Sequence, residues 1–567
     1  MPAKQLKFDD QARAALLRGT AQIAAAVRPT LGPRGRSVVI DRKYGSPQIT
    51  SDGATIVRDI ELPDHFENMG AQLLAEAARR ANDTAGDGTT TAALLAEALV
   101  EEGVRHLASG ASPVGLKRGI ERATRAVLAE LDKHSRPLAG RDDVARVATI
   151  SSGSDEIGAM IADAMEKVTS DGVITVEESS GIDTEVKVVE GMQFDRGYVS
   201  PYLVTDQQAM EAVLERPLIL VTPRKLSALA DVVPAMELAV KASRPLLVIA
   251  EDIEGEALAT LVVNKLRGTA PTCAVKAPGF GDRRTAMLQD IAVLTGAEVV
   301  SDELGMSMER ISERQLGSAR RVVVTKDDCT LVEGAGGPGA VKERVREIDL
   351  QMEQTDSDWD REKLQERKAR LVGGVAVIRV GAPTETALRE RKERVEDALE
   401  ATRAAVAEGI LPGGGRSLLL AAKAVSLSGD DDERTGAQIV KRALEVPVRQ
   451  LAANAGLEGS VALEKTLAMG PTEGLDVATL EYGDLLKAGI LDPTKVVKTS
   501  LQSAASVAAL LLTTQALVAD APELAPALHA GGGGEGGMGG MDGMGGMGGM
   551  GGMGGMGGMD GMEDMDF

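Results

Sequence analysis

Apolar positions along this chain follow two different rhythms. Over 92–107, alanine and leucine recur at helical spacing, with Leu95, Leu99 and Leu107 among them. The run 113–131 repeats that pattern behind Ser112, a candidate cap, and Pro113 at the first helical position. The first ~130 residues are therefore predicted to be helix-rich. From about 170 to 330 short β-rich runs (173–176, 218–221, 246–250 and 321–325) alternate with helical segments, as in an α/β domain. Long charged helices are expected over 340–371 and 384–408, and 416–520 returns to the alanine- and leucine-rich character of the opening. Helices at both ends around an α/β block predict nested domains, one of them built from both termini. A chain of 567 residues is too long for one core and predicts three or four domains.

The most apolar stretch, 504–518, is short and is broken by Ser506, Thr513, Thr514 and Gln515, so it reads as a buried helix rather than a membrane span. From 531 the chain is almost entirely glycine, with methionine at every third position from Met538 to Met562, and it closes on Glu563, Asp564, Met565, Asp566 and Phe567. Such a segment cannot offset its ordering entropy, and disorder is expected, with the methionines free to touch apolar surfaces. A secretory leader is not expected, because the first residues contain no apolar core. A soluble cytoplasmic protein is the expectation.

Charge and composition narrow the partners. The formal net charge is −22 and aromatic residues make up 2%, so neither phosphate attraction nor base stacking favours nucleic acid. Cys273 and Cys329 form no C-x-x-C pair, and the four histidines (His65, His106, His134, His529) are scattered, which argues against a disulfide scaffold and a zinc site.

The chemistry concentrates in 84–91, TAGDGTTT. Asp87 lies between Gly86 and Gly88, and Thr89, Thr90 and Thr91 open a helical run. A helix start offers unpaired N–H groups to a phosphate, glycines permit close approach, and a carboxylate can hold magnesium. The chain has no Gly-Lys pair, so this is not a P-loop. An Asp-Gly turn that merely caps a helix has the same appearance. Further candidates are the 30–35 loop (Thr30, Leu31, Gly32, Pro33), Asp52 before Gly53, Asp397 in a helix, the 413–415 glycine turn and Asp492 before Pro493. Each alone reads as an ordinary turn. The segment 334–339, GAGGPG, formally fits G-x-G-x-x-G but carries a proline, and a hairpin-type loop is expected. In 256–267, Leu258, Leu261, Val262, Val263 and Leu266 span roughly 200°, wider than the ~100° stripe a packed surface helix needs. The surplus predicts an exposed apolar patch with Val263 at its edge.

Together these segments resemble one family. ATLGPRGRSVV is similar to the first nucleotide loop of the group I chaperonins (GroEL-type), NDTAGDGTTTAALLA to their phosphate loop, and VEGMQFDRGYVSPY to the opening of their apical domain. KAPGFGDRR, EDALEATRAAVAEGILPGGG, GILDPTKV and the Gly-Gly-Met tail match further blocks, in the same order, from about residue 4 to 525 and again in the tail. The resemblance implies a multidomain α/β fold and a homo-oligomer of two stacked seven-membered rings. It implies a helix-rich equatorial ATP domain (1–133 and 408–523), a small α+β intermediate hinge domain (134–189 and 376–407), an α/β apical domain (190–375) and a disordered tail (524–567).

It also implies site roles. Thr30 to Pro33 and Gly88 to Thr91 bind phosphate, and Asp87 holds Mg2+. Asp397 aligns or deprotonates the attacking water with Asp52 as its partner. Gly414 and Asp492 contact the ribose, and Asp476, Ala478 and Ile490 line the base. Thr30, Ser51 and Thr90 are the implied K+ ligands. Tyr198, Tyr202, Leu203, Val233, Met236, Leu258, Val262 and Val263 match the family surface for non-native polypeptides and the 10 kDa co-chaperonin. The implied activity is ATP hydrolysis coupled to protein folding, without nucleic acid or membrane partners. Two positions depart from the family pattern. Ser51 stands where many members carry lysine, a change that bears on turnover by up to ~10²-fold rather than on ATP binding. Asp476 replaces a familiar asparagine and loses an amide donor. The rival readings are an ATP-independent holdase that only prevents aggregation and a surface protein reusing the apical face.

Overall fold

Local capping starts the helices, at Ser112 as the sequence suggests and at Asp64 besides. Asp64 accepts hydrogen bonds from the Phe66 (2.8 Å) and Glu67 (3.0 Å) amides and opens the helix His65–Ala85. Ser112 accepts from Gly115 N, and Pro113 takes the first position of Pro113–His134. The computed structural model describes residues 3–42, 47–168, 173–179, 181–207, 209–301, 305–355 and 357–521; the tail expected to be disordered lies outside them. They form one unit, Lys4–Ala519, and a second, smaller one in which the Ala521 amide donates to the Ala3 carbonyl (2.9 Å).

The buried apolar residues of Lys4–Ala519 gather into three large cores. The first joins residues 12–131 with 411–519. It lies among the helices Asp9–Val27, His65–Ala85, Thr89–Ala108, Pro113–His134, Asp431–Ala443 and Thr494–Leu512. Two glycines let the first pair of these helices touch by their backbones: a Cβ at Gly19 would stand 1.8 Å from the Glu67 carbonyl oxygen, and one at Gly70 2.2 Å from that of Leu16.

The second core is drawn wholly from residues 192–371. Its seven-stranded sheet runs Thr272–Lys276, Leu246–Ala250, Leu218–Val221, Gly317–Val324, Cys329–Gly334, Gly191–Phe194, and Ala212–Glu215 also pairs with Gly317–Val324. The first three strands are parallel and the remaining pairings antiparallel. The two inner parallel strands, Leu218–Val221 and Leu246–Ala250, are apolar throughout, as a sheet covered on both faces requires.

The third core joins 148–174 with 376–399. Here Val375–Val380 lies between Val173–Glu178, parallel, and Glu185–Val189, antiparallel. The helices Arg141–Ser152, Asp155–Lys167 and Glu385–Glu408 pack with it. The chain is thus a helix-rich multidomain α/β protein.

Two local expectations are corrected. The apolar stretch 504–518 is not one helix: Thr494–Leu512 ends there, and Ala516–Asp520 is a strand. The polar Thr513 and Thr514 turn back onto Leu510 and Leu511, which closes the helix. The 334–339 segment is not a hairpin loop. It leads from the strand Cys329–Gly334 into the helix Pro338–Gln354, whose first position takes the proline that seemed to interrupt a motif. Among the described residues no helix is long and apolar enough to cross a membrane.

Candidate functional site

Asp87 is set by two glycines in the left-handed region. Gly86 (φ +70°) closes His65–Ala85, and Gly88 (φ +90°) stands at the start of Thr89–Ala108 without a side-chain cap. The chain therefore reverses between two helices, and the second helix presents an open N-terminus. Gly88 N donates to Asp87 Oδ1 (2.5 Å) and Ser151 Oγ to Oδ2 (3.2 Å). Ser500 Oγ holds the Gly88 carbonyl (3.1 Å), and a Cβ on Gly88 would stand 2.4 Å from that hydroxyl.

The other candidates come to this loop from distant segments. Thr30 Oγ1 lies 3.3 Å from Thr90 Oγ1. Asp52 caps Gly53–Asp59, accepting from Ala54 N (3.0 Å) and Thr55 N (2.7 Å), and a Cβ on Gly53 would stand 2.7 Å from Thr90 Oγ1. Ser51 is exposed beside it. Asp397 is carried on Glu385–Glu408, which packs against Gln48–Thr50, Leu491–Pro493 and Thr494–Leu512. One turn beyond Asp397, Glu400 presses on the loop so closely that a Cβ on Gly86 would lie 2.1 Å from Glu400 Cβ.

Asp492 pairs with Leu411 between the strands Ile410–Pro412 and Leu491–Pro493, and Gly413 N donates to the Ile490 carbonyl (2.9 Å). Gly414 (φ +62°) leaves an open side, where a Cβ would meet nothing nearer than the Leu475 carbonyl oxygen at 3.8 Å. Asp476 shapes its own turn: its two oxygens accept from Ala478 N (2.8 Å) and Thr479 Oγ1 (2.9 Å). Arg34 then donates to the Ala478 carbonyl (2.9 Å), which ties the first loop to this hairpin. Leu31, Gly32 and Pro33 lie at the surface of that loop, braced by Asn454, which donates to the Arg28 (3.0 Å) and Leu31 (2.9 Å) carbonyls.

Electrostatically, no described lysine or arginine acts on the buried carboxylates of the site. Burial raises the Asp87 carboxyl above its ordinary range, two hydrogen bonds oppose the shift, and Asp52 adds to it. Burial also raises Asp397 well above the usual range, with Asp52 and Asp87 adding repulsion. Asp492 is pushed up to about 7 by burial and then by Asp87. No lysine or arginine offsets these three shifts. Among the described residues no group of three or more His, Cys, Asp or Glu side chains forms a metal cage. The buried Asp87 carboxylate, beside hydroxyls and an open helix start, has the donor chemistry of a hard divalent cation such as Mg2+.

Sequence reasoning missed Ser151, Glu393, Asn454 and Ser500. Glu393 stands one turn before Asp397, 3.5 Å from Thr50 Oγ1, and burial followed by Asp52 raises its carboxyl. None carries a local sequence signal, because each is a single polar residue made relevant by a distant partner.

On Gly255–Leu266, Leu261 is buried, Leu258 and Val262 are partly buried, and Val263 (42%) and Leu266 (62%) are exposed. Tyr202 is 66% exposed, and Tyr198 and Val233 are partly exposed. Leu203 and Met236 differ from their neighbours on this surface: both are buried in the core of the seven-stranded sheet. Leu203 closes a single turn opened by Ser200, and Met236 faces inward from Val233–Ala242.

The model of the TCP-1/cpn60 chaperonin family matches residues 23–236 and 231–522. The matched residues span all three cores and every segment that converges on Asp87, and this chain belongs to the TCP-1/cpn60 chaperonin family.

Proposed function

We propose that this chain is an ATP-driven chaperonin of group I (GroEL) type, a homo-oligomer of two stacked seven-membered rings. The observation that carries the reading is the approach of Asp52, Asp87, Asp397 and Asp492 to one another near an open helix start, with no described lysine or arginine to offset their burial. The three cores correspond to equatorial, apical and intermediate domains.

Thr30 to Pro33 and Gly88 to Thr91 bind the phosphates through amides and hydroxyls. Mg2+, when held by Asp87, neutralises charge on the phosphate oxygens; Thr30, Ser51 and Thr90 would hold K+. Asp397, with Asp52, orients the attacking water and takes its proton. Burial, with Asp52 and Asp87 adding to it, raises the pKa of Asp397 above the ordinary carboxylate range, which makes it a stronger base than an exposed aspartate. Gly414, Asp492, Asp476, Ala478 and Ile490 form the ribose and base side. Phosphoryl transfer relies chiefly on positioning and charge neutralisation, so loops closing from several segments suffice. Because Asp397 lies on the intermediate segment, hydrolysis waits for that segment to close.

Val263, Leu266 and Tyr202, with Tyr198, Val233, Leu258 and Val262 at the margin, capture non-native chains by area burial without sequence specificity. A 10 kDa co-chaperonin displaces them from that surface into the ring cavity. The exposed Ser51 favours one rival, an ATP-independent holdase.

The experiment is ATP hydrolysis by the purified protein with and without Mg2+ and K+, run beside sedimentation. Cation-dependent turnover by a large ring is expected. A small assembly that suppresses aggregation without turnover overturns the proposal in favour of the holdase.

A further inference from the structure

Among the described residues Arg416 is the largest fully buried side chain, 1% exposed. It directly follows the 413–415 glycine turn, at the start of the helix Arg416–Ala421. Its guanidinium meets no carboxylate. It donates instead to four carbonyls at the end of Gly459–Leu467 and just beyond: Thr466 (2.9 Å), Gly470 (2.9 Å), Met469 (3.1 Å) and Pro471 (3.4 Å). Glu473, the acid that acts on it electrostatically, is turned onto the Gly470 amide (2.8 Å). A buried cation without a direct ion pair is costly, and the partial negative charge of a helix C-terminus, with Glu473 nearby, offsets it here.

The contact with Pro471 completes a circuit of hydrogen bonds that starts at the 413–415 turn. Arg416 N donates to the Gly413 carbonyl (3.1 Å), and Gly413 N to that of Ile490 (2.9 Å). Ile490 N then donates to the Leu485 carbonyl (2.8 Å), and Leu485 N to that of Thr472 (2.9 Å), next to Pro471. The Arg416 side chain closes the ring. On one side of it is the 413–415 turn; on the other is the hairpin Glu473–Asp476 with Glu481–Asp484, which carries Asp476 and Ala478.

We propose that Arg416 is a positioning residue of the nucleotide site. It holds the 476–490 wall at a set distance from the 413–415 turn and so sets the affinity and selectivity for the adenine nucleotide. The inference rests on the ATP reading above and deepens it. Arginine's planar fork reaches four carbonyls at once, whereas a lysine at this position has three donors on one atom.

The test uses the full-length assembled protein, with ATP and GTP as probes in equilibrium binding and steady-state hydrolysis. For Arg416→Gln the expected result is a rise in ATP Kd and KM of roughly tenfold, the scale of one or two lost charge-assisted hydrogen bonds, with kcat within about twofold. The preference for ATP over GTP should fall by a similar factor. Arg416→Lys should lie between, at about threefold, and it carries the test should the glutamine variant not assemble. Unchanged KM and ATP:GTP preference in an assembled variant overturns the inference, as does a fall in kcat alone. Failure of both variants to assemble assigns Arg416 to folding and also overturns it. Wild-type protein that binds no ATP removes the functional reading itself, whereas binding by the wild type with silent variants removes only Arg416's role.

Discussion

Asp397 and Asp492 share one electrostatic problem, burial beside other carboxylates, yet they face different tests. Asp397→Ala should retain ATP binding and lower hydrolysis by at least about 10²-fold, the lower range of general-base contributions. Single-turnover assays with a separate nucleotide-binding titration measure both, and unchanged turnover removes its assigned role. For Asp492 the sign follows from burial. The folded state binds the proton more tightly than the unfolded chain, so its contribution to stability is fully present below about pH 4 and is lost as pH rises through about 7. In buffer free of Mg2+ and nucleotide, Asp492→Asn should therefore melt higher than wild type at pH 8, by on the order of 4 kcal/mol, and the gap should close toward pH 4. A gap that persists at low pH excludes titration of Asp492 as its source. At this scale Asp87 was readable because its control is local: two glycines and a helix start. Ser151, Glu393 and Arg416 were not, because their partners lie 64, 343 and 50 or more residues away.

Among the elements, the helix Gly255–Leu266 tests whether excess apolar width means exposure. Its arc was too wide for a single buried stripe, and Val263 and Leu266 are indeed exposed. The same reasoning could not separate Leu203 and Met236 from the surface, since burial of a short turn or a neighbouring helix depends on the sheet beneath it. Val263→Gln with Leu266→Gln should abolish most suppression of aggregation of a denatured test enzyme. The melting free energy should stay within about 0.5 kcal/mol, because exposed side chains contribute little to folding. Retained suppression would move the capture surface elsewhere. Element boundaries were less legible than element types. Polar Thr513 and Thr514 end a helix within an apolar run, and Pro338 starts one within a glycine loop.

Across the whole molecule, the three cores differ in how they are drawn from the chain. The core of the seven-stranded sheet comes entirely from 192–371, whereas the helical core needs both ends of the chain, and the small sheet needs 148–174 and 376–399. A fragment of residues 190–375 should therefore fold alone and unfold in one cooperative transition, followed by circular dichroism and calorimetry. A fragment of residues 134–189 should not, since it lacks the central strand Val375–Val380. A non-cooperative 190–375 fragment would show that its core depends on the helical segments.

By itself the sequence determined what is decided within a few residues: the helix start at Ser112, the glycine-flanked loop at Asp87 before a helix, the alternation of helical and α/β segments, and the ordered blocks shared with one family. Only the tertiary structure decided which carboxylates repel one another, that Leu203 and Met236 are core, and that Arg416 closes a circuit around the glycine turn. The division has a physical cause. Backbone geometry and capping depend on neighbours along the chain, whereas burial, charge interaction and long-range hydrogen bonds depend on atoms that only folding brings together.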